Sequence, residues 1–597
     1  MKKQVLQQRF DELAQILKKD MNTEGYWTGQ LSSSALGVAV AVAALHFHDR
    51  EAYSKEIRKG LRWLQNNINK DGSFGDTPES PGNVSTSLLV YACANLYAKD
   101  DEQAKAIQVN TSGYLTSQSI DVNSPHVGEI ILDHYQKDYT FSVPILTMCG
   151  LCGVPGASSF QSVPQLPFEL SLLPRNLYRM LNLSVVSYAI PALIAVGIVV
   201  FKRKKSNFFW RFVRKVSIRP ALKLLQKLMP ASGGFLEAIP LTAFVCLSLT
   251  EAGYGQLNVV DGGMKFLRKT QRDDGSWPID IDLSTWVTTL AVKAMRDKRN
   301  EVLSSNEQSA IASHLLANQN TTVHPFNGSQ PGGWGWTNHS GSVPDGDDTP
   351  GAIIVLLQLK PSKDVMQQVL AGCNWLLQLQ NRDGGFPTFS KGWGKLPFDH
   401  SCADLTGHAM LAISSCLHAY KEELDQATST KYKQAFKRSF QFLKKHQRKD
   451  GSWLPLWFGN QKVADHTNPV YGTAKVLTYL QDVLSHSWLT IPEKQSTLVQ
   501  LFLAEQYLLS VQNNDGSWGG DKDVTGSMEE TALAVSALSM GKHEQACERG
   551  LEWLDHFYQK NGLKSSPIGL YFASLWYDEK MYPLTAYLEA LARVLAD

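Results

Sequence analysis

Apolar residues recur along this chain with the three- to four-residue spacing of amphipathic helices, and many of these runs end at one short phrase. The phrase reads Asp-Gly-Ser/Gly-Phe/Trp, and it begins at Asp71, Asp274, Asp383, Asp450 and Asp515. A Gln precedes each phrase, at Gln65, Gln271, Gln380, Gln447 and Gln512. Because Gly tolerates the positive φ of a tight turn, we interpret each unit as a helix, a turn with an aromatic anchor, and a second helix. The pattern predicts an all-α protein with two α/α-barrel domains of the six-plus-six toroid type.

The phrase is unevenly distributed, and this indicates where the two domains divide. Between about residues 75 and 270 there is no clear copy of it. We therefore expect residues 1–25 and 282–597 to form one barrel. Residues 26–281 are expected to form the second barrel, which carries a membrane-facing segment.

The composition narrows the class of protein. The 597 residues are 43% hydrophobic and carry a net charge of +2, which excludes a disordered chain and provides no overall field to attract nucleic acid. The eight Cys do not form a disulfide framework, and the N-terminus lacks the continuous apolar stretch of a signal peptide. The 15 Trp are many for an ordinary cytosolic enzyme and require a structural or chemical role.

One region departs from this neutral average. Residues 170–236 contain no Asp or Glu although Lys and Arg recur, and residues 183–201 within them are uncharged. Hydropathy alone would make 183–201 a membrane-spanning helix, but Ser, Tyr and Pro interrupt the run. The segment after it alternates aromatic or aliphatic residues with basic ones, which suits partial insertion into anionic lipid. We predict attachment to the membrane surface through residues 183–230, with a spanning helix and a solvated basic helix as alternatives.

Three carboxyl groups are crowded into four positions of the chain. Asp345, Asp347 and Asp348 follow the Gly-rich aromatic sequence GGWGW and precede the apolar run PGAIIVLLQL. Crowded carboxyl groups beside Trp334 and Trp336 cannot all ionise at low cost, so one should keep its proton near neutral pH. The pattern indicates a Brønsted acid, with helix capping and a metal site as alternative interpretations.

The chain resembles the class II terpene cyclases, in particular the squalene–hopene cyclase family. The resemblance extends from Tyr26 to Tyr582 and rests on the Asp-x-Asp-Asp-Thr motif together with the five repeated phrases. It implies a reaction that begins with the protonation of a polyprene.

The family motifs imply a role for each polar residue that matches them. Asp347 would protonate the terminal alkene, and Asp345 and Asp348 would tune its acidity and help to return a proton. In the second motif, Asp404-Leu-Thr-Gly-His408, His408 would orient the proton of the acid and Asp404 would support His408.

Protonation creates a carbocation, which must close its rings without meeting water or a fixed anion. Aromatic faces stabilise cations by up to ~2 kcal/mol each when desolvated. The resemblance implies that the substrate cavity is lined by Trp286, Trp336, Phe389, Trp457, Tyr188, Phe572 and Tyr582. We expect the aromatic residues of the repeated phrases to lock their turns instead, as at Trp277, Trp453 and Trp518.

The chain departs from the family where the reaction ends. Relatives carry a Glu in the early helix where this chain has Leu89, and the helix after Trp27 also lacks a carboxylate that relatives have. In the family those groups lie at the terminating end of the cavity. The resemblance therefore leaves open how the final cation is quenched.

The predicted function is the class II cyclisation of a linear polyprene, with squalene as the expected substrate and no metal or other cofactor. A C35 or partly cyclised polyprene, such as tetraprenyl-β-curcumene, is an alternative substrate. Alternative functions are a non-catalytic isoprenoid-binding barrel and a prenyltransferase-like barrel with zinc at His400, Cys402 and Asp404. The expected partners are an isoprenoid lipid and a membrane, on the cytoplasmic face in a bacterium, and the resemblance allows a homodimer.

Overall fold

Helices account for nearly all the regular structure of the chain, so the expectation of an all-α fold is confirmed. The computed structural model describes residues 3–124, 126–135, 139–154, 160, 162–174, 190–360, 362–388, 399–541, 543–570 and 575–596. The helices of the N-terminal half are α1 Lys3–Lys19, α2 Ala35–Asp49, α3 Ser54–Asn66, α4 Val84–Asn95, α5 Glu102–Ser117, α6 Val127–His134, α7 Tyr139–Leu151, α8 Ile190–Arg203, α9 Phe208–Leu228, α10 Ile239–Leu249 and α11 Asn258–Thr270.

The C-terminal half continues with further helices and one small sheet. The helices are α12 Ser284–Met295, α13 Arg299–Val302, α14 Ser305–Ala317, α15 Asp348–Leu359, α16 Lys363–Leu379, α17 Ala403–Ala419, α18 Gln426–His446, α19 Pro469–Leu484, α20 Ile491–Ser510, α21 Met528–Ser539, α22 Glu544–Asn561 and α23 Met581–Ala596. Short 3₁₀ segments occupy Phe168–Leu172, Phe235–Glu237 and Arg296–Lys298, and Thr250–Tyr254 forms a π-helical turn. Strands β1 (Ile568–Leu570) and β2 (Leu575–Tyr577) pair antiparallel, with Gly569 opposite Trp576.

Six helices of the C-terminal half form a closed inner ring. In order around the ring they are α12, α15, α17, α19, α21 and α23, and α23 returns to contact α12. Helices α14, α16, α18, α20 and α22 lie outside them, and α1 completes the outer layer by packing against α23. We call this assembly the C-terminal barrel. Since its outer layer takes one helix from the N-terminus, the chain leaves this barrel after α1 and returns to it at α12.

A second ring, the N-terminal barrel, forms between these two passages. Among the described residues its inner helices are α2, α4, α7, α8 and α10, with α10 returning to α2. The apolar run seen in the sequence belongs here, because α8 is buried from Ile190 to Val200 inside this ring. Within the described ranges, no helix combines the length and apolar composition needed to cross a bilayer.

At four of the repeated phrases the preceding Gln donates a hydrogen bond to the neighbouring outer helix, as at Gln271, Gln380, Gln447 and Gln512. Gln512 at the end of α20 donates to the carbonyl of Gly516 in its own turn and to that of Ala546 in α22, at 2.9 and 3.0 Å. Gly516 has a φ of 96°, and a Cβ there would lie 2.6 Å from the carbonyl oxygen of Arg549. The indole N–H groups of Trp277, Trp453 and Trp518 donate to helix carbonyls at 2.7–2.9 Å, and all three rings are fully buried. These turns therefore fix the spacing of the helices that hold the site.

Candidate active site

A cavity of about 360 Å³ is lined by residues of both barrels, and its surface is mostly apolar. We call its lining residues between 283 and 582 the C-terminal wall and those between 31 and 244 the N-terminal wall. The aromatic residues of the C-terminal wall are Trp286, Trp336, Trp457, Phe458, Tyr577 and Tyr582. The N-terminal wall is mainly aliphatic, and its aromatic residues are Tyr135, Phe141 and Phe244.

The crowded carboxyls lie in the turn that begins α15, and all three line the cavity. Oδ1 of Asp345 accepts hydrogen bonds from the backbone N–H groups of Asp347 and Asp348, both at 2.8 Å. Asp345 thus satisfies N–H groups at the helix N-terminus, as the capping interpretation requires. A side chain at Gly346 would collide with the carbonyl of Pro387, so the tight turn needs glycine there. The turn leaves Asp347 as the more exposed carboxyl, with 18% of its side chain accessible.

Burial changes the protonation of the other two carboxyls. It raises the pKa of Asp345 to about 7 against the lowering effect of the two backbone N–H groups. Burial and the neighbouring charge of Asp345 raise the pKa of Asp348 well above its usual range. The turn can therefore hold at least one proton at neutral pH inside an apolar cavity.

His408, on α17, connects this turn to the C-terminal ring. Its Nδ1 lies 2.7 Å from Oδ1 of Asp347, and its ring stacks on Tyr479 with centroids 4.9 Å apart. The edge of Trp286 contacts the same ring at 6.2 Å between centroids. Burial, and then the charge of Lys293, lower the pKa of His408 to about 4, so the imidazole is neutral at physiological pH.

Asp404 lies one helical turn before His408 and is also buried. Burial and the charge of Asp347 raise its pKa to about 6. Its Oδ1 has no hydrogen-bond partner in the described part of the chain. The nitrogen of His408 that faces away from Asp347 instead meets Lys293, whose Nζ lies 3.0 Å from Nε2.

Lys293 is the main site residue that the sequence reasoning missed. It lies on α12, seven residues after Trp286, so both side chains share one face of the helix. The available signal was a single Lys in the otherwise uncharged run STWVTTLAVKAM. Near it lies a partly buried network in which Asp482 is paired with Arg296 and Arg593, at 3.1 and 2.9 Å.

The structure brings together four of the seven expected cavity residues: Trp286, Trp336, Trp457 and Tyr582. The indole N–H of Trp286 donates to the hydroxyl of Tyr582 at 3.2 Å, which joins two of them directly. Phe458 and Tyr577, which the sequence reasoning did not single out, extend the same surface. The expected positions Tyr188, Phe389 and Phe572 lie outside the described residues.

Two further carboxyls line the cavity away from the acid turn. Asp76, on the N-terminal wall, accepts hydrogen bonds from Thr86, from Asn83 and, at 2.9 Å, from the backbone N–H of Trp576. Asp280 also lines the cavity, and its carboxyl lies beside the indole of Trp336 and the backbone of Ile281. Burial raises the pKa of both. We expected that no fixed anion would line the path of the carbocation. The cavity meets this expectation only while Asp76 and Asp280 stay protonated.

No group of three or more His, Cys, Asp or Glu side chains is arranged to hold a metal ion, as far as the described residues extend. This includes His400, Cys402 and Asp404, the residues considered for zinc.

The chain belongs to the squalene-hopene cyclase family. The family's C-terminal domain matches residues 283–574 and its N-terminal domain matches residues 11–109. The resemblance inferred from the sequence is thereby confirmed.

Individual relatives come from fungi and bacteria. The chain is 24% identical to the enfumafungin synthase of Hormonema carpetanum over 93% of its own length and 45% of that protein, so it spans less than half of this relative. It is 23% identical to the squalene–hopene cyclase of Alicyclobacillus acidocaldarius, over 79% of this chain and 78% of that one. The ent-copalyl diphosphate synthase of Streptomyces platensis has the same fold, with a TM-score of 0.62, 16% identity and 99% coverage of both chains.

Proposed function

We propose that this chain is a class II terpene cyclase in which Asp347 protonates the terminal alkene of a linear polyprene. The observation that carries the proposal is the position of Asp347: it is exposed to a largely apolar cavity and hydrogen-bonded through Oδ1 to His408 at 2.7 Å. A largely apolar cavity keeps water away from the acid, and that water would otherwise compete with the alkene for its proton.

Each step of the proposed reaction conserves protons and electrons. Asp347 gives its proton to the less substituted carbon of the terminal alkene, and the other alkene carbon becomes a tertiary cation. The π electrons of the next alkene then form the first ring bond and move the positive charge onward. Loss of a proton from the last cation gives an isomer of the substrate, whereas capture of water gives a hydrate. The Asp347 carboxylate then takes up a proton for the next turnover.

The aromatic residues of the C-terminal wall supply the electrostatic stabilisation that this pathway needs. Trp286, Trp336 and Trp457 line the cavity together with the acid turn. Desolvated aromatic faces each stabilise a cation by up to ~2 kcal/mol, and they do so without accepting its proton.

Squalene is the proposed substrate, and tetraprenyl-β-curcumene is the alternative. Detergent-solubilised protein should be incubated with each compound in the presence of EDTA, and the products analysed by mass spectrometry. We expect squalene to be converted into a cyclic isomer or a hydrate. Turnover that EDTA abolishes, or stoichiometric zinc in the purified protein, would favour the zinc barrel, and binding without conversion would favour a lipid-binding protein.

We further propose that the enzyme attaches to the cytoplasmic face of a membrane through α9. The side chains of Phe208, Phe209 and Phe212 are exposed by 89%, 65% and 62%. Arg211 and Arg214 lie between and after them, so one segment offers apolar insertion and attraction to anionic lipid. A surface helix of this kind gives a lipid-soluble substrate a short path to the cavity. The homodimer stays a prediction.

A further inference from the structure

Both ring nitrogens of His408 have a polar neighbour. Nδ1 lies 2.7 Å from Oδ1 of Asp347, and Nε2 lies 3.0 Å from Nζ of Lys293. The imidazole is fully buried between α12, α15 and α19, where the ring of Tyr479 covers one face. It has little freedom to exchange these partners.

The chemistry of the two partners fixes the position of the imidazole proton. A lysine ammonium group only donates hydrogen bonds, so Nε2 must be the unprotonated, accepting nitrogen. A neutral imidazole carries one N–H, which must then lie on Nδ1 and donate to Oδ1 of Asp347. With Oδ1 engaged in this way, Oδ2 of Asp347 is the oxygen that can hold a transferable proton.

We propose that Lys293 is a positioning residue for the acid: it locks His408 in the Nδ1–H tautomer and thereby directs the acidic proton of Asp347 to Oδ2. The proposal rests on the proposed role of Asp347 as the proton donor. Lys293 also strengthens that acid, because its charge polarises the imidazole N–H toward the carboxylate that forms when the proton leaves.

The surroundings of Lys293 maintain this arrangement near neutral pH. The charged and titratable groups near it are His408 and Asp347, Lys475, Tyr479 and Asp482 of α19, and Glu589 of α23. Burial, and then the charge of Lys475, lower the pKa of Lys293 to about 8, so it remains a cation at pH 7. A second positive charge on His408, 3.0 Å from that ammonium, would be strongly disfavoured, which agrees with its neutral state.

The tautomer can be measured without substrate. Protein with ¹⁵N-labelled histidine rings should be studied by long-range ¹H–¹⁵N NMR, and the His408 signals identified by their loss in His408→Gln. At pH 7 we expect wild-type His408 to be protonated on Nδ1 alone. An Nε2–H tautomer or an imidazolium in the wild type would overturn the proposal, even if no Lys293 variant folds.

Three substitutions separate the positioning role from a general effect of buried charge. Lys293→Met should lose the single tautomer and lower kcat about 10- to 100-fold with little change in KM, the effect of one hydrogen bond to a charged group. Lys293→Arg retains a donor and should restore most of the turnover. Lys475→Met removes a buried cation from the adjacent helix and should keep the Nδ1–H form.

These experiments separate a failure of the Lys293 positioning role from a failure of the proposed cyclase function. If Lys293→Met keeps the Nδ1–H tautomer, the positioning role is wrong whatever the enzyme does with squalene. If the wild type shows the expected tautomer and the variant loses it while neither converts a polyprene, the positioning role stands and the proposed substrate class is wrong.

Discussion

The two barrels contribute unlike surfaces to one cavity. Among the described residues, the C-terminal wall supplies the three carboxyls of the acid turn and six aromatic side chains, whereas the N-terminal wall supplies one carboxyl, Asp76, and three aromatic side chains. The N-terminal barrel in turn carries α9, with its exposed aromatic and basic residues. This difference is the basis of a proposed division of labour, in which the C-terminal barrel would start the reaction and stabilise its cation, and the N-terminal barrel would bind lipid, shape the substrate and surround the final cation.

The largest expected effect comes from removing the acid of the C-terminal wall. Asp347→Asn keeps the size of the side chain but has no acidic proton, so we expect cyclisation to fall by about 10³-fold or more. The measurement is product formation from squalene by mass spectrometry, with a thermal melt to show that the variant is folded. Turnover close to that of the wild type would remove Asp347 from the mechanism.

The matched variant changes the carboxyl of the opposite wall. Asp76→Asn alters a buried group that accepts hydrogen bonds from Thr86 and from the backbone of Trp576, far along the chain from the acid turn. We expect squalene consumption to change by less than about tenfold while the mixture of products changes, because proton loss or water capture occurs after initiation. If Asp76→Asn instead blocks consumption as fully as Asp347→Asn, the two walls do not divide the reaction in this way.

The second largest expected effect is the loss of vesicle binding when exposed residues of the N-terminal barrel are replaced. Replacing Phe208, Phe209 and Phe212 of α9 with Ser removes three exposed rings, and we expect binding to vesicles with anionic lipids to weaken by about 100-fold or more. The assay is vesicle co-sedimentation at low and physiological salt.

A helix of the C-terminal barrel provides the control. α20 also exposes apolar side chains, with Ile491, Leu498 and Phe502 accessible by 72%, 53% and 59%, but its only Lys or Arg is Lys494. Replacing these three residues with Ser should leave vesicle binding within about threefold. Equal loss in both triple variants would show that exposed apolar area alone, and not the N-terminal barrel, determines attachment.

Helices α8 and α9 show how far sequence reasoning reaches. Residues 183–230 were predicted to contact the membrane as one segment, but α8 is buried from Ile190 to Val200, and the exposed aromatic residues begin at Phe208. A run of apolar residues does not reveal whether it faces a protein core or a lipid, because both environments favour the same side chains.

Within the site, local patterns were predictable and long-range pairs were not. The acid turn, His408 and Trp286 stand in short motifs, so sequence context was enough to name them as candidates. Lys293 acts on a residue 115 positions away, and only the contact between their helices brings the two together. Asp404 was expected to support His408 because both share a motif, but the structure places Lys293 at the free ring nitrogen.

The C-terminal wall has more aromatic side chains than the N-terminal wall. Replacing one of them should lower kcat by an amount smaller than the loss of the acid. Trp336→Leu on the C-terminal wall removes a ring that we expect to face the cation, and loss of up to ~2 kcal/mol of stabilisation corresponds to a decrease in kcat of roughly 10- to 30-fold. Phe244→Leu on the N-terminal wall preserves the apolar lining and should change kcat by less than about threefold. Similar losses in the two variants would mean that cation stabilisation is spread over both barrels.

The last comparison concerns folding stability instead of turnover, and it tests the electrostatics of the acid turn. Because burial raises the pKa of Asp345 to about 7, the folded protein holds a proton that the unfolded chain releases near its ordinary pKa, 3.8. Folding stability should therefore decrease as pH rises from about 4 through 7, by ~1.4 kcal/mol for each unit by which the pKa is raised. Asp345→Asn keeps an oxygen that can accept from the N–H groups of Asp347 and Asp348 but cannot ionise. Its denaturation midpoint should consequently fall less than that of the wild type between pH 5 and 8. Equal pH profiles for wild type and Asp345→Asn would show that the buried proton lies on a carboxyl other than Asp345. Asp348 and Asp76, whose pKa values burial also raises, would then be tested by the same substitution to Asn.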